Sequence, residues 1–460
     1  MVSICNDDWA TLGVMSGHER KTLRLSATGQ RIAVVGAGWA GLAAAVRAVQ
    51  CGARVTLFDM AREPGGRARR VHTPAGALDN GQHILIGAYS ATLGLMRSVG
   101  ADPAVLLLRR PLALIDPAGH GLALPPGAPV PAFVRAVLAA RGWRWRHRLA
   151  LLGAASSWLL RGFHCAPGLT VAQLCHGLPA PVLRTLIEPL CLAALNTPMA
   201  QASAEVFLRV LKDALSGSRG SADLLLPRVP LSALLPDPAL RWLAAAGATC
   251  HTGRRVMALA PETGGTRWQV DGEPFDGVVL ACTATEAARL VAGIDAAWSA
   301  RAAALRYEPI VTAYLADATL RLPQPMLALP AGPHAPAQFV FDLGALQTDP
   351  AASGHFAFVA SGAAPWLVAG VDACGQALLR QARQVFPAGF QGADSTVLLH
   401  VAAERRATFA CTPGLQRPQM AVAPGLLAAG DYVAGPYPAT LEGAVRSGLA
   451  AAEALLSPVR

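Results

Sequence analysis

Lysine is almost absent from this 460-residue chain. Lys21 and Lys212 are the only two, and arginine supplies the other cations behind a formal charge of +10. With so much alanine, glycine and proline, that bias reads in part as nucleotide composition. No aromatic-and-basic binding module accompanies it, which argues against a nucleic-acid partner. The nine cysteines form no CxxC pair, and an odd, scattered set excludes a disulfide framework and points to a reducing, cytoplasmic setting. No uninterrupted apolar run approaches the roughly 18 residues of a membrane span, although 53% of the chain is hydrophobic and mean hydropathy is +0.38. Alanine inflates both figures. Residues 1–30 lack an apolar segment of signal-peptide type and are expected to be a disordered extension.

What is present lies at the two ends. Arg31 to Arg70 reads RIAVVGAGWAGLAAAVRAVQCGARVTLFDMAREPGGRARR. Ile32 to Val35 suits a buried parallel strand. Gly36 permits a tight turn, Gly38 lets backbone approach a pyrophosphate, and Gly41 lets the following helix pack closely. That helix, opening at Trp39-Ala40, turns free N–H groups and its positive dipole end toward phosphates. Val55 to Phe58 is the next strand, and Asp59 at its end can accept ribose hydroxyls while repelling a 2′-phosphate, against NADP.

The continuation separates FAD from NAD. Gly65-Gly66-Arg67-Ala68 is a second glycine turn carrying a cation that can bridge phosphate or flavin-ring oxygens. Near the C-terminus Leu426–Ala429 reads as a strand delivering Gly430-Asp431, and a helix opens beside it over Leu441, Glu442 and Gly443. A carboxylate there suits a polyhydroxyl chain, which NAD lacks, so FAD is the cofactor expected. The fold class is α/β: a Rossmann-like FAD-binding domain of the glutathione-reductase type, with a discontinuous, helical and mixed-sheet substrate domain. The length suggests two domains. The FAD-binding parts are expected at 31–95, 236–290 and 415–460, the substrate parts at 96–235 and 291–414. Strands are expected over Cys250–Val256, Arg267–Val270, Phe275–Ala281, Ile310–Leu315 and Gln338–Phe341. An interface between the two domains is the natural place for a substrate.

One stretch stands apart. From Arg141 to Trp158 arginine and tryptophan alternate before an apolar run. As a helix it puts Arg141, Arg144 and Arg148 on one face and Trp145, Leu149 and Leu152 on another. That pattern fits the edge of an anionic membrane, and equally a surface helix whose tryptophans pack inward.

The nucleotide motifs resemble the amine oxidase and carotenoid desaturase superfamily of flavoproteins. The chain further resembles the hydroxysqualene dehydroxylase family through Leu78-Asp-Asn-Gly-Gln-His83, Leu195-Asn-Thr-Pro198, Ser221–Ser232, Glu404–Phe409 and Gly435–Gly443. Its one small departure is Ala48, where the flavoprotein fingerprint usually has a larger aliphatic; this touches helix packing and not the phosphate turn. The resemblance implies reductive removal of an allylic hydroxyl from an isoprenoid, hydroxysqualene, with FAD carrying the electrons. It brings Asp79, Asn80, Gln82 and His83 past the flavin ring and Val256 to the adenine half. His83 and Tyr437 are the two proton-donor candidates, the former also a flavin contact. Glu404 and Arg405 are expected only to brace the domain junction as an ion pair. The alternatives are an oxidative desaturase or amine oxidase on the same fold, and a non-enzymatic isoprenoid carrier. An intact flavin motif set argues against the carrier. No motif names the electron donor.

Overall fold

The computed structural model describes residues 29–74, 76–262 and 267–457. The extension expected over residues 1–30 therefore lies, apart from its last two residues, outside the described residues. Strand β1 (Arg31–Val35), helix α1 (Trp39–Gln50) and strand β2 (Arg54–Asp59) form the opening unit. Helices α2 (Pro129–Ala139) and α3 (Trp145–Leu160) follow. Strands β3 (Thr249–Thr252) and β4 (Gly277–Leu280) come next. A run of antiparallel strands then comprises β5 (Tyr307–Ala316), β6 (Met326–Ala328), β7 (Phe339–Asp342), β8 (His355–Ala360) and β9 (Leu398–Phe409). Strands β10 (Ala421–Ala423) and β11 (Leu426–Ala428) and helix α4 (Leu441–Leu456) complete the chain's regular structure.

The first sheet has the order β3-β2-β1-β4-β11-β10. Its first five strands are parallel and β10 is antiparallel to β11. Helices cover such a sheet on both faces, which is why β1 and β4 read as continuous apolar runs. The second sheet, β6-β7-β8-β5-β9, is antiparallel throughout. This is the α/β architecture expected.

The two ends of the chain meet through α1 and α4. Nine of the twelve residues of α1 are buried, mostly alanines, because α4 lies directly on it. A Cβ at Gly448 would stand 2.0 Å from the Ala40 carbonyl oxygen, so only glycine lets the helices come this close. Arg47 and Glu453 close the contact at 2.8 Å.

Several expectations shift. The strand expected over Cys250–Val256 stops at Thr252: Gly253 turns at φ +73°, and Arg254 N–H donates to the Asp59 carbonyl. The strand expected over Phe275–Ala281 is two, Glu273–Phe275 and β4, broken at Asp276, whose carboxylate accepts from Arg31 N–H. The domain division placed at residue 95 meets no break in packing. Leu85–Ile86 shares a three-stranded sheet with Leu224–Pro227 and Leu107–Arg110, and one core cluster runs from Val35 and Phe58 to Phe207 and Tyr314. The arginine–tryptophan helix begins only at Trp145, so Arg141 and Arg144 precede it and share no helical face with Arg148. Leu152 is partly buried. Among the described residues no helix is long and apolar enough to cross a membrane, and the eight described cysteines are all free.

Candidate active site

The two glycine turns form one cradle. Gly65 N–H donates to the Ala37 carbonyl at 2.8 Å, Gly38 and Gly65 pair as an isolated bridge, and the Trp39 indole N–H donates to the Ala68 carbonyl at 3.1 Å. Gly41 serves the turn from behind: a Cβ there would lie 1.8 Å from the Gly36 carbonyl oxygen. Asp59 is buried at the end of β2. Its two oxygens accept from Ala37 N–H at 2.6 Å and Ala61 N–H at 2.7 Å, leaving lone pairs for ribose hydroxyls. Burial raises its pKa against those two bonds.

Arg67 and Asp431, 364 positions apart, meet at 2.6 Å, and Arg67 also donates to the Ala407 carbonyl at 2.6 Å. Burial disfavours the guanidinium charge, but the Asp431 carboxylate, with Tyr307 and Glu404 adding to it, outweighs burial and holds the Arg67 pKa above its ordinary value. Arg417 fixes the segment that follows, donating to the carbonyls of Asp431, Gly435 and Tyr437. The sequence gives no signal for Arg417, and it marks Ala407 only as part of the Glu404–Phe409 motif, because neither contact has a spacing rule.

One continuous cavity of about 750 Å³ runs from this cradle into the second sheet and the helices over it. At one end it is lined by Gly36, Gly38, Trp39, Ala40, Asp59, Gly65 to Ala68, Val256, Gly430, Asp431 and Leu441, at the other by Leu114, Leu122, Leu151, Trp158, Phe339 and Phe341. Gln82, His83 and Tyr437 face it between. Gly41 and Gly443 stand behind the wall. The Gly443 N–H is taken by Thr440 Oγ1, the N-cap of α4. Glu442 reaches the lining but spends its carboxylate elsewhere, on Ala91 N–H, Thr92 N–H, Thr92 Oγ1 and Arg446. It caps the helix Ser90–Ser98 and has little left for a cofactor. The Val256 carbonyl accepts from Arg289 at 2.7 Å.

Glu404 is not the ion-paired brace expected. Its carboxylate accepts from Asn80 Nδ2 at 3.1 Å and Arg406 N–H at 3.0 Å, and it lines the cavity. His83 Nδ1 lies 3.2 Å from the Gly81 carbonyl. Burial, with Arg67 nearby, lowers its pKa, so the imidazole is neutral near pH 7. If the Gly81 oxygen takes the Nδ1 hydrogen, Nε2 is left as an acceptor. Tyr437 lies between two guanidiniums, Arg209 and Arg446, each 5.4 Å from the ring centre. Burial raises the phenol's pKa.

The residues present fit a flavin dinucleotide. Glycine turns, a ribose carboxylate and a second carboxylate line one continuous cavity. Two buried polar atoms on its wall, Gln82 Nε2 and Tyr432 Oη, have no hydrogen-bond partner among the described residues, and buried polar groups of that kind call for one. Fold and site together define an FAD-dependent oxidoreductase with an extended, largely apolar cavity.

The family model described as "Flavin containing amine oxidoreductase" matches residues 39–456, and the chain belongs to that family. It is similar to the hydroxysqualene dehydroxylase of Rhodopseudomonas palustris, 28% identical over 93% of this chain and 98% of the relative. It is similar also to that of Sinorhizobium fredii, 27% identical over 93% and 99%. Among solved structures, an oxidoreductase from Methanosarcina mazei superposes with a TM-score of 0.68 at 18% identity, covering 91% of this chain and 99% of that one. The last likeness concerns the fold alone.

Proposed function

We propose that this protein removes the hydroxyl of hydroxysqualene reductively, giving squalene and water, as part of squalene or hopanoid formation. The observation that carries the reading is the cavity. Beyond the flavin cradle its wall is mainly leucine, isoleucine, valine, phenylalanine and tryptophan, with a few polar groups such as Asn196, Asp213 and Glu404, a lining that suits a long hydrocarbon. Similarity to dehydroxylases along nearly the whole chain supports the same substrate class.

Bound in its reduced form, FAD supplies the hydride that replaces the hydroxyl. The chain supplies three other things. Its apolar wall excludes water and extends the isoprenoid. The Arg67–Asp431 pair ties the second glycine turn to the C-terminal segment, fixing the cradle against the cavity. A proton must reach the leaving oxygen, because hydroxide is a poor leaving group. Tyr437 suits this role better than His83: burial keeps its proton in place, and beside it the Arg446 and Arg209 charges favour the phenolate while Asp213 and Glu442, which pair with those arginines, temper them. A neutral His83 is suited to accept the substrate O–H and orient it.

The decisive experiment is anaerobic mixing of photoreduced holoprotein with hydroxysqualene. Flavin reoxidation with one squalene formed per flavin is expected. A flavin that stays reduced, while the oxidised protein is bleached by squalene or a carotenoid precursor, makes the enzyme a desaturase instead.

The same assay separates the two side chains. Tyr437→Phe should keep its flavin and slow reoxidation by about 100-fold or more, the usual contribution of a general acid. His83→Gln should keep its flavin and slow it less. The reverse order removes Tyr437 from the mechanism.

A further inference from the structure

Helices α2 and α3 form a layer with two unlike sides. Their inner residues Phe133, Leu151, Ala155 and Trp158 line the apolar cavity. Their outer sides carry seven of the eleven large hydrophobic residues exposed in the described structure. Val130, Val134 and Leu138 recur every fourth residue along α2, at 38%, 37% and 39% exposure. Trp145 and Leu149, one turn apart on α3, are 65% and 61% exposed. Such a concentration on one surface marks an interaction site.

Within the stretch itself the charge has one sign. Between Asp116 and Glu188 the sequence holds seven arginines and no acid. None of those arginines forms an ion pair among the described residues. Arg141, Arg144 and Arg146 are exposed at the junction of the two helices, and the Arg148 guanidinium lies 5.0 Å from the centre of the Trp145 ring. The inward-packing alternative for the tryptophans holds for two of the three. Trp143 is buried, its indole N–H donating to Thr185 Oγ1 at 3.0 Å, and Trp158 faces the cavity. Trp145 alone of the three points outward.

We propose that the outer side of α2 and α3 docks on an anionic lipid bilayer, with Trp145, Leu149 and the α2 valines in the interface and the arginines on lipid phosphates. The basic, tryptophan-edged apolar face fits that partner, and the stretch carries no acidic group to complement a basic protein surface. One helix thickness, roughly 10 Å, separates this side from the cavity, so a water-insoluble substrate passes between membrane and active site with little exposure to solvent. The loading step rests on the isoprenoid reading above; the docking does not.

The test is flotation of holoprotein with phosphatidylcholine vesicles, with and without phosphatidylglycerol. The wild type should float with the anionic vesicles and be released by salt. Trp145→Glu/Leu149→Glu should bind them at least about ten-fold more weakly. It should keep its flavin and turn over detergent-solubilised hydroxysqualene at the wild-type rate, yet lose turnover of vesicle-borne substrate. Wild type that stays in solution, or a double variant that floats equally well, overturns the proposal. So does a variant whose only change is loss of self-association by light scattering. Wild type that docks but fails with solubilised substrate sinks the dehydroxylase reading and leaves the docking intact.

Discussion

Asp431→Ala is expected to purify nearly colourless. In the native protein its carboxylate holds Arg67 at 2.6 Å, and its own side chain is only 7% exposed. Truncation leaves the guanidinium, itself 34% exposed, facing the cavity without that counter-charge, and breaking a pair enclosed on one side only costs less than the roughly 3–5 kcal/mol of a fully buried one. Part of that cost falls on the folded protein and part on FAD, which also loses an acceptor for its hydroxyls. A share of about 2 kcal/mol for the cofactor corresponds to roughly 30-fold weaker binding. The flavin-to-protein absorbance ratio and the rise in melting temperature on adding FAD report this directly. Asp431→Asn keeps an acceptor for Arg67 without the charge and should fall between. An alanine variant as yellow as wild type would show that the carboxylate does not hold the cofactor.

Asp79→Asn should stabilise the protein above neutral pH. Asp79 is buried with one hydrogen bond to its carboxylate, from Leu231 N–H at 2.9 Å. Burial outweighs that bond and the nearby Arg70, pushing the pKa up to about 7 from an ordinary 3.8. The folded state therefore keeps this proton until about pH 7, whereas the unfolded chain releases it near pH 4. Between those values the folded state binds more protons, so stability falls as pH rises and levels off above pH 7. The full cost is about 4 kcal/mol, at 1.36 kcal/mol per pH unit. The amide of the variant does not titrate in this range and can still accept from Leu231 N–H. Urea melts at pH 5 and pH 8 should show the variant ahead by about 1.5 kcal/mol at the lower pH and by about 4 kcal/mol at the higher. Equal separation at both removes the buried acid from the argument.

The parts of the site legible in the sequence were those built by local backbone geometry. Gly36, Gly38 and Asp59 sit on a strand–turn–helix–strand unit whose spacing is set by helix and strand lengths, so their positions follow from the order of letters. What escaped was made by packing between distant segments. Glu442 reads as one of the residues opening a helix beside a cofactor, yet its carboxylate turns away to the helix Ser90–Ser98. Arg417 gives no sign of steadying the Asp431 segment. The helix expected from Arg141 starts at Trp145, because Gly142 at φ +81° and an extended Arg144 hold the preceding residues out of helical geometry. The fold class needed only periodicity and motif order. Assigning the proton donor needed to know which groups are buried beside which charges.

The contact between α1 and α4 bears on how the protein is made. The Rossmann unit is synthesised early, but its sheet lacks β11 and its first helix lacks a covering partner until residues 426–456 have been added. At about 5–20 residues per second that leaves roughly 20–80 s in which the alanine face of α1 is uncovered and Arg67 has no Asp431. Any hold on FAD that relies on the Arg67–Asp431 pair must therefore wait until Gly430-Asp431 has been made.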